Sequence, residues 1–356
     1  MGRIVVPAAL SGSILMGLAT EADVQSAERI WPDNITVVEQ VDSARLPDNP
    51  EEASQKRLLL VFGGLGQVRP KAAAEQIAEA KHAAGEDVAV AYVKYKNQGF
   101  DKLDEFGRAD YEVLEAFIED HNVKRIGIVG ISMGLPTALE WFSQIVADAE
   151  AEGREIEWRI EEIISYSSPY DGQDPWKRNL LHWAAKSHYP GGLFSKFLYN
   201  LDFRRVLDFD ISYDERMKAL EEAVNKALNE CSPQLFMSQV RLLANVDPSE
   251  WFPLLQKYTN NLVFIYMIGE LPDDIVDAEQ ASDRYFNLLG RIGNATLRLI
   301  VVAGAGHADT FQSANALREV MLQEYQLAEQ EEEGEEILLT LQTAEEAGAE
   351  AEDSQG

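Results

Sequence analysis

Cysteine is nearly missing from this chain. Cys231 is the only one in 356 residues, which excludes an intramolecular disulfide, a CxxC redox pair and a cysteine-built zinc site, while saying nothing of the compartment. Basic side chains are scarce too: 31 Lys and Arg stand against 61 Asp and Glu, a formal net charge of -30. The field of such a chain opposes nucleic-acid phosphates and anionic headgroups, so no nucleic-acid partner is expected. There is no H-E-x-x-H and no P-loop, and Gly63-Gly64-Leu65-Gly66 lacks the full G-x-G-x-x-G spacing. Neither a metal nor a dinucleotide cofactor is therefore expected.

Long apolar runs are lacking as well, with one exception. Arg3 precedes a mostly apolar stretch, 4–19, that is too short to span a bilayer comfortably, so no stable membrane span is expected. The stretch has two readings. One is the h-region of a signal peptide cut after Gly17-Leu18-Ala19, which implies export. The other is an early strand at 4–9 with a turn at Ser11-Gly12-Ser13, which implies a cytoplasmic protein; Pro7, the small polar residues and the single basic flank favour it.

What is present is enough for one large core. Apolar residues make up 46% of the chain, and the length suits one large domain or two ordinary ones. The acidity is uneven: residues 326–356 hold 11 acids and no Lys or Arg, leaving 50 acids against 31 bases before them. This excess reads as a solubility or salt adaptation rather than as a cation-binding surface. From Gln330 onward the composition is low-complexity Glu, Ala, Gly and Gln, apart from Ile337-Leu338-Leu339-Thr340-Leu341. An acidic tail at 326–356, with too little apolar surface to offset chain entropy, is expected to be disordered.

After an irregular lead punctuated by Pro32, Pro47 and Pro50, strands and helices alternate. Apolar strands are expected at 57–62, 87–95, 125–129, 160–166, 262–268 and 296–302, with helices at 70–84, 109–119 and 135–149. This alternation argues for a mainly parallel sheet covered by helices on both faces, with right-handed crossovers. No internal repeat interrupts it. Between about 171 and 258 the rhythm fails and only helical patterns remain, so this stretch is read as an insertion in a domain spanning 1–325. A capping box at Ser212-Tyr213-Asp214-Glu215 opens one of its helices, running toward Glu230. Its first part is rich in aromatics, including Trp176, Trp183, Phe194 and Phe203, which either pack a small core of their own or line a greasy pocket over the sheet.

The chemistry-bearing motif follows the third of these strands. Residues 125–129 feed directly into Gly130-Ile131-Ser132-Met133-Gly134, and a helix begins at about Leu135-Pro136. A catalytic serine needs a geometry that presents its oxygen, a base for its proton and donors for the developing oxyanion. Glycines flanking Ser132 leave room for a strained strand-to-helix turn, and the serine then stands at a helix N-terminus, where peptide dipoles stabilise an anion. The oxyanion hole should combine the backbone N–H of Met133 with one from the glycine loop after the strand 57–62, at Gly64 or Leu65.

The elbow and its setting resemble the α/β-hydrolase superfamily, among whose esterases, lipases and monoacylglycerol-lipase-like members the G-x-S-M-G form is frequent. The resemblance runs from about Arg57 to Tyr325, with the insertion where these proteins place a helical cap. It implies an α/β-hydrolase fold and a Ser-His-Asp triad. The base it implies is His307, in Ala303-Gly304-Ala305-Gly306-His307-Ala308 after the last strand; His82 and His121, on or beside early helices, read as surface residues, and His182 and His188 as ordinary residues of the insertion. The acid it implies lies after the strand 262–268, in Gly269-Glu270-Leu271-Pro272-Asp273-Asp274, with Asp273 fitting best, Asp274 next, and Asp171 if the acid sits one strand earlier. Asp277, or a merely solvated acidic loop, is the bland alternative. These relatives often begin the oxyanion loop with His-Gly where this chain has Phe62-Gly63, so the alignment there is open by one residue. The reaction implied is attack on a small-molecule ester or acyl substrate through an acyl-serine. Amide hydrolysis, acyl transfer and a non-catalytic binding role use the same fold and stay open, as does the oligomeric state.

Overall fold

The computed structural model describes residues 35–65, 67–96, 108–170, 235, 238–239, 241–243, 246–270, 276–303, 305, 314–319 and 322. The stretch 4–9, most of the aromatic insertion and the acidic tail lie outside the described residues. In chain order the elements are β1 (Val37–Gln40), a 3-10 turn (Asp42–Ala44), α1 (Pro50–Gln55), β2 (Arg57–Phe62), α2 (Lys71–Ala83), β3 (Val88–Lys94), α3 (Arg108–Asp120), β4 (Arg125–Ile131) and α4 (Gly134–Glu152). β5 (Arg159–Tyr166), a second 3-10 turn (Pro248–Glu250), α5 (Trp251–Tyr258), β6 (Thr259–Gly269), α6 (Ala278–Leu289) and β7 (Thr296–Val302) follow.

The strands form one sheet in the order β1-β3-β2-β4-β5-β6-β7, parallel throughout except for β1, which runs antiparallel to β3 along one edge. The expected α/β class is therefore observed. β2, β3 and β4, at the centre of the sheet, read as apolar runs because both of their faces are buried, whereas β7 at the far edge is largely part-exposed. Leu58, Leu60 and Phe62 of β2 join one core with α3, α4, α5 and α6, while Leu59 and Val61 join a second core with α2 and Leu317. α5 closes the stretch that had no strand pattern, and it packs into the first core through Trp251, Leu254 and Leu255.

The chain passes from β2 to β3 on one side and then crosses to β4 on the other. β2 and β4 are thus adjacent strands whose outgoing connections diverge, the arrangement that opens a crevice at the carboxyl edge of a parallel sheet. Their register sets Phe62 beside Gly130, so the two loops leave the sheet side by side.

Three elements were not evident from the sequence. β1 spans four residues with only one buried, too few for a periodic signal. α1 starts at Pro50 with Asn49 as its cap, the Asn49 Oδ1 accepting from the Glu51 N–H at 3.0 Å, inside a lead whose prolines look merely irregular. α6 is capped by Asp277 and buries a narrow stripe of Ala281, Tyr285, Leu288 and Leu289.

Candidate active site

β4 runs two residues further than the apolar pattern suggests, through Gly130 and Ile131, and delivers the chain to Ser132. Ser132 has φ 50, the left-handed region that side chains other than glycine seldom adopt and that costs of order 1–3 kcal/mol. Its N–H donates to the Tyr166 carbonyl at 2.8 Å, continuing the β4–β5 pairing by one bond. Met133 follows in helical geometry and α4 begins at Gly134. From Ile126 to Phe142 every residue is buried except Ser132, which is half-buried. One hydroxyl is thus left reachable by solvent in the middle of a packed strand-turn-helix unit.

Both glycines of the motif answer to packing. A Cβ at Gly134 would lie 2.2 Å from the Phe62 carbonyl oxygen, and one at Gly130 would lie 2.2 Å from the Leu135 Cβ. Only hydrogen fits at either place. α4 is 19 residues long and has no acid in its first turn, so the positive end of its dipole meets Ser132 and Met133 uncompensated.

The loop after β2 lies against this turn. A Cβ at Gly64 would sit 3.1 Å from the Ile131 oxygen and 3.3 Å from the Ser132 Cβ. Gly63 and Gly64 are buried and Leu65 packs half-buried against the first core. The Gly64 carbonyl accepts from the Gln67 N–H at 3.1 Å and from Nε2 of the fully buried Gln239 at 3.4 Å. The Gly64 N–H donates to Gln67 Oε1 at 3.1 Å. Behind the loop, the Tyr95 hydroxyl donates to the Gly63 carbonyl at 3.3 Å, and burial pushes its pKa well above the usual phenol range, so it stays a donor.

On the far side, the turn after β5 braces the elbow. Ser167 also has a positive φ, 48, and its N–H donates to the Met267 carbonyl at 2.9 Å. The Ser168 hydroxyl donates to the Gly130 carbonyl at 3.2 Å. The Tyr266 and Tyr285 hydroxyls donate to the carbonyls of Ser168 and Pro169 at 2.5 and 2.9 Å. Tyr170 then meets the rings of Trp251 and Tyr285, with the Arg284 guanidinium 4.3 Å from its centroid.

Ser132, Met133, Gly64 and Leu65 are thus gathered at the carboxyl edge. His307, Asp273, Asp274 and Asp171 lie outside the described residues. The strands that lead to them, β7, β6 and β5, all run parallel to β4 and end on that same edge. His82 is exposed near the start of β3, its Nε2 3.2 Å from the Val88 carbonyl oxygen, and His121 stacks on Phe117 just before β4. Both are at the amino edge, roughly 20 Å from Ser132 by the length of a seven-residue strand. Asp277 uses its carboxylate to cap α6, accepting from the Gln280 N–H at 3.1 Å. Among the described residues, no three His, Cys, Asp or Glu side chains are grouped to hold a metal ion, and no helix is long and apolar enough to cross a membrane.

Sequence reasoning missed Gln67, Gln239, Tyr95 and Ser168. Only Gln67 left a local signal: it stands three residues after Gly64, the spacing at which a side chain folds back on a backbone amide. The others act across chain separations that spacing cannot reveal.

The sheet order and the strand directions are those of the α/β-hydrolase fold. Solved structures share it. A bromoperoxidase from Bacillus anthracis matches at TM-score 0.50 with 12% identity, over 82% of this chain and 94% of its own. MenH from S. aureus matches at TM-score 0.50 with 14% identity, over 82% of this chain and 99% of its own. No family model and no curated protein sequence matches the chain.

Proposed function

We propose that this protein is a serine hydrolase that cleaves a carboxylic ester through an acyl-serine on Ser132, with His307 as base and Asp273 orienting it. The observation that carries the reading is Ser132 itself: a strained, half-buried serine at the N-terminus of a long helix whose first turns are buried, with a glycine loop packed against it. In the first step the Ser132 oxygen adds to the ester carbonyl carbon while His307 takes the hydroxyl proton, and the carbonyl π pair moves onto oxygen. The resulting oxyanion accepts from the Met133 N–H and from the loop at Gly64 or Leu65, and the α4 dipole favours its charge. Collapse expels the alkoxide, which takes the proton from His307; water then repeats the sequence and releases the acid. An apolar acyl or alkyl group suits the aromatic content of the insertion. Asp274 and Asp171 remain the competing acids.

The test is turnover of a chain-length series of p-nitrophenyl esters. Wild type hydrolyses them, and Ser132→Ala loses about 1,000-fold or more in kcat/KM with melting unchanged. Undiminished turnover in Ser132→Ala sinks the reading. Among Asp273→Asn, Asp274→Asn and Asp171→Asn, the first loses most; a wild-type rate in Asp273→Asn moves the acid elsewhere.

A further inference from the structure

With Gly64 taken as the second oxyanion donor of the acyl-serine reading, its amide is already engaged. Its N–H donates to Gln67 Oε1 at 3.1 Å, and the same carboxamide oxygen would lie 3.3 Å from a Cβ at Gly63, so the Gln67 side chain folds back over both glycines. The peptide that follows cannot rotate freely to offer another arrangement, because the Gly64 carbonyl is held by the Gln67 N–H and by Gln239 Nε2. Gly64 in turn is pressed against the turn at Ser132, since a Cβ added at Gly64 would lie 3.3 Å from the Ser132 Cβ. A carboxamide oxygen is a neutral carbonyl acceptor, the same kind of atom as an ester carbonyl and a weaker acceptor than an oxyanion.

We infer that Gln67 gates the oxyanion hole: its carboxamide oxygen holds the Gly64 N–H in the resting enzyme and is displaced as the tetrahedral oxyanion forms. The inference rests on the acyl-serine reading above and adds to it a positioning residue. Gln67 touches the donor and not the reacting atoms. Its hydrogen bond must be given up only as charge develops, so its removal acts on kcat more than on KM.

Two substitutions separate a gate from a structural prop. Gln67→Met keeps the length of the side chain and removes the carboxamide, so it frees the Gly64 N–H; kcat/KM for a p-nitrophenyl ester rises about 3- to 10-fold, the worth of one neutral hydrogen bond, and phenylboronic acid, which forms a tetrahedral adduct with serine, inhibits more tightly by a similar factor. Gln67→Glu keeps the acceptor, strengthens it and sets a negative charge beside the oxyanion; kcat/KM falls at least about tenfold. Gln67→Ala, which also lacks the acceptor, moves in the same direction as Gln67→Met, and a melting curve for each variant confirms that it folds. Opposite shifts in the acceptor-free and acidic variants support the gate. Loss of activity in all of them, or no change in any, overturns it while wild-type turnover keeps the acyl-serine reading standing. A wild type that neither turns over esters nor binds phenylboronic acid overturns both.

Discussion

The two edges of the sheet are built from the same strands and solve opposite problems. At the amino edge, charge is buried and matched: Lys81, 1% exposed, lies 2.7 Å from the carboxylate of Glu162, 5% exposed, and 3.2 Å from Glu86, while Arg57 pairs with Glu86 and lies 3.8 Å from Glu162. Two cations face two carboxylates with little solvent between them. At the carboxyl edge the backbone is strained at Ser132 and Ser167, a helix dipole is left uncompensated and one hydroxyl is reachable. Buried charge is matched at one end, and backbone strain is held at the other, where a reacting group has to be presented.

The largest expected effect breaks the amino edge alone. Lys81→Met leaves Glu162 buried without its nearest cation and costs about 3–5 kcal/mol in urea unfolding, with KM for an ester unchanged in the molecules that remain folded. A loss under about 1 kcal/mol would show that the ion group is wetter than its burial implies. Ser132→Gly probes the other edge: it removes the left-handed strain and stabilises the protein by about 1 kcal/mol while turnover disappears. If that variant is less stable than wild type, the turn is held by the serine side chain and not in spite of it.

The smallest effect lies between the edges. Glu140, buried two turns into α4, accepts from Trp251 Nε1 at 3.4 Å and from Gln144 Nε2 at 3.0 Å. Burial pushes its carboxyl above the ordinary carboxylate range, helped by the nearby charges of Glu250 and Asp247 and opposed by those two hydrogen bonds. The folded state therefore binds the proton more tightly than the unfolded chain does. Stability from this group is present below the unfolded carboxylate pKa and falls as pH rises through the folded one. Glu140→Gln keeps an acceptor for Trp251, melts higher than wild type at pH 7 to 8 and shows a flatter dependence between pH 4 and 8. An identical pH profile for the two proteins would remove Glu140 from the account.

The central fold was legible because parallel strands buried on both faces, β2, β3 and β4, write themselves as apolar runs, and the part-exposed β7 kept an apolar run as well. β2, β4, β5 and β7 were found within two residues of their observed ends. β6 begins earlier than its apolar run, since Thr259 and Asn260 precede an irregularity at Asn261, φ 50, where pairing with β5 shifts register. Ser132 and its two glycines were legible for a related reason: a close approach between Gly134 and Phe62 forbids any side chain, and that prohibition is visible as a motif. Gln239 was not, because its bond to Gly64 joins positions 175 residues apart and depends on how the connection between β5 and β6 returns to the sheet. The pairing of Lys81 with Glu162 was hidden likewise, as each is an ordinary charged residue until the sheet brings helix and strand together.

The contrast between the edges rests on Ser132 being a nucleophile and not merely an exposed turn residue. The most direct measurement is the intact mass of wild type after incubation with a fluorophosphonate, followed by peptide mapping of the adduct. A single covalent phosphonyl group on the peptide carrying Gly130-Ile131-Ser132-Met133-Gly134, absent from Ser132→Ala, is the predicted result. An unlabelled wild type, or an adduct that persists in Ser132→Ala, would contradict it.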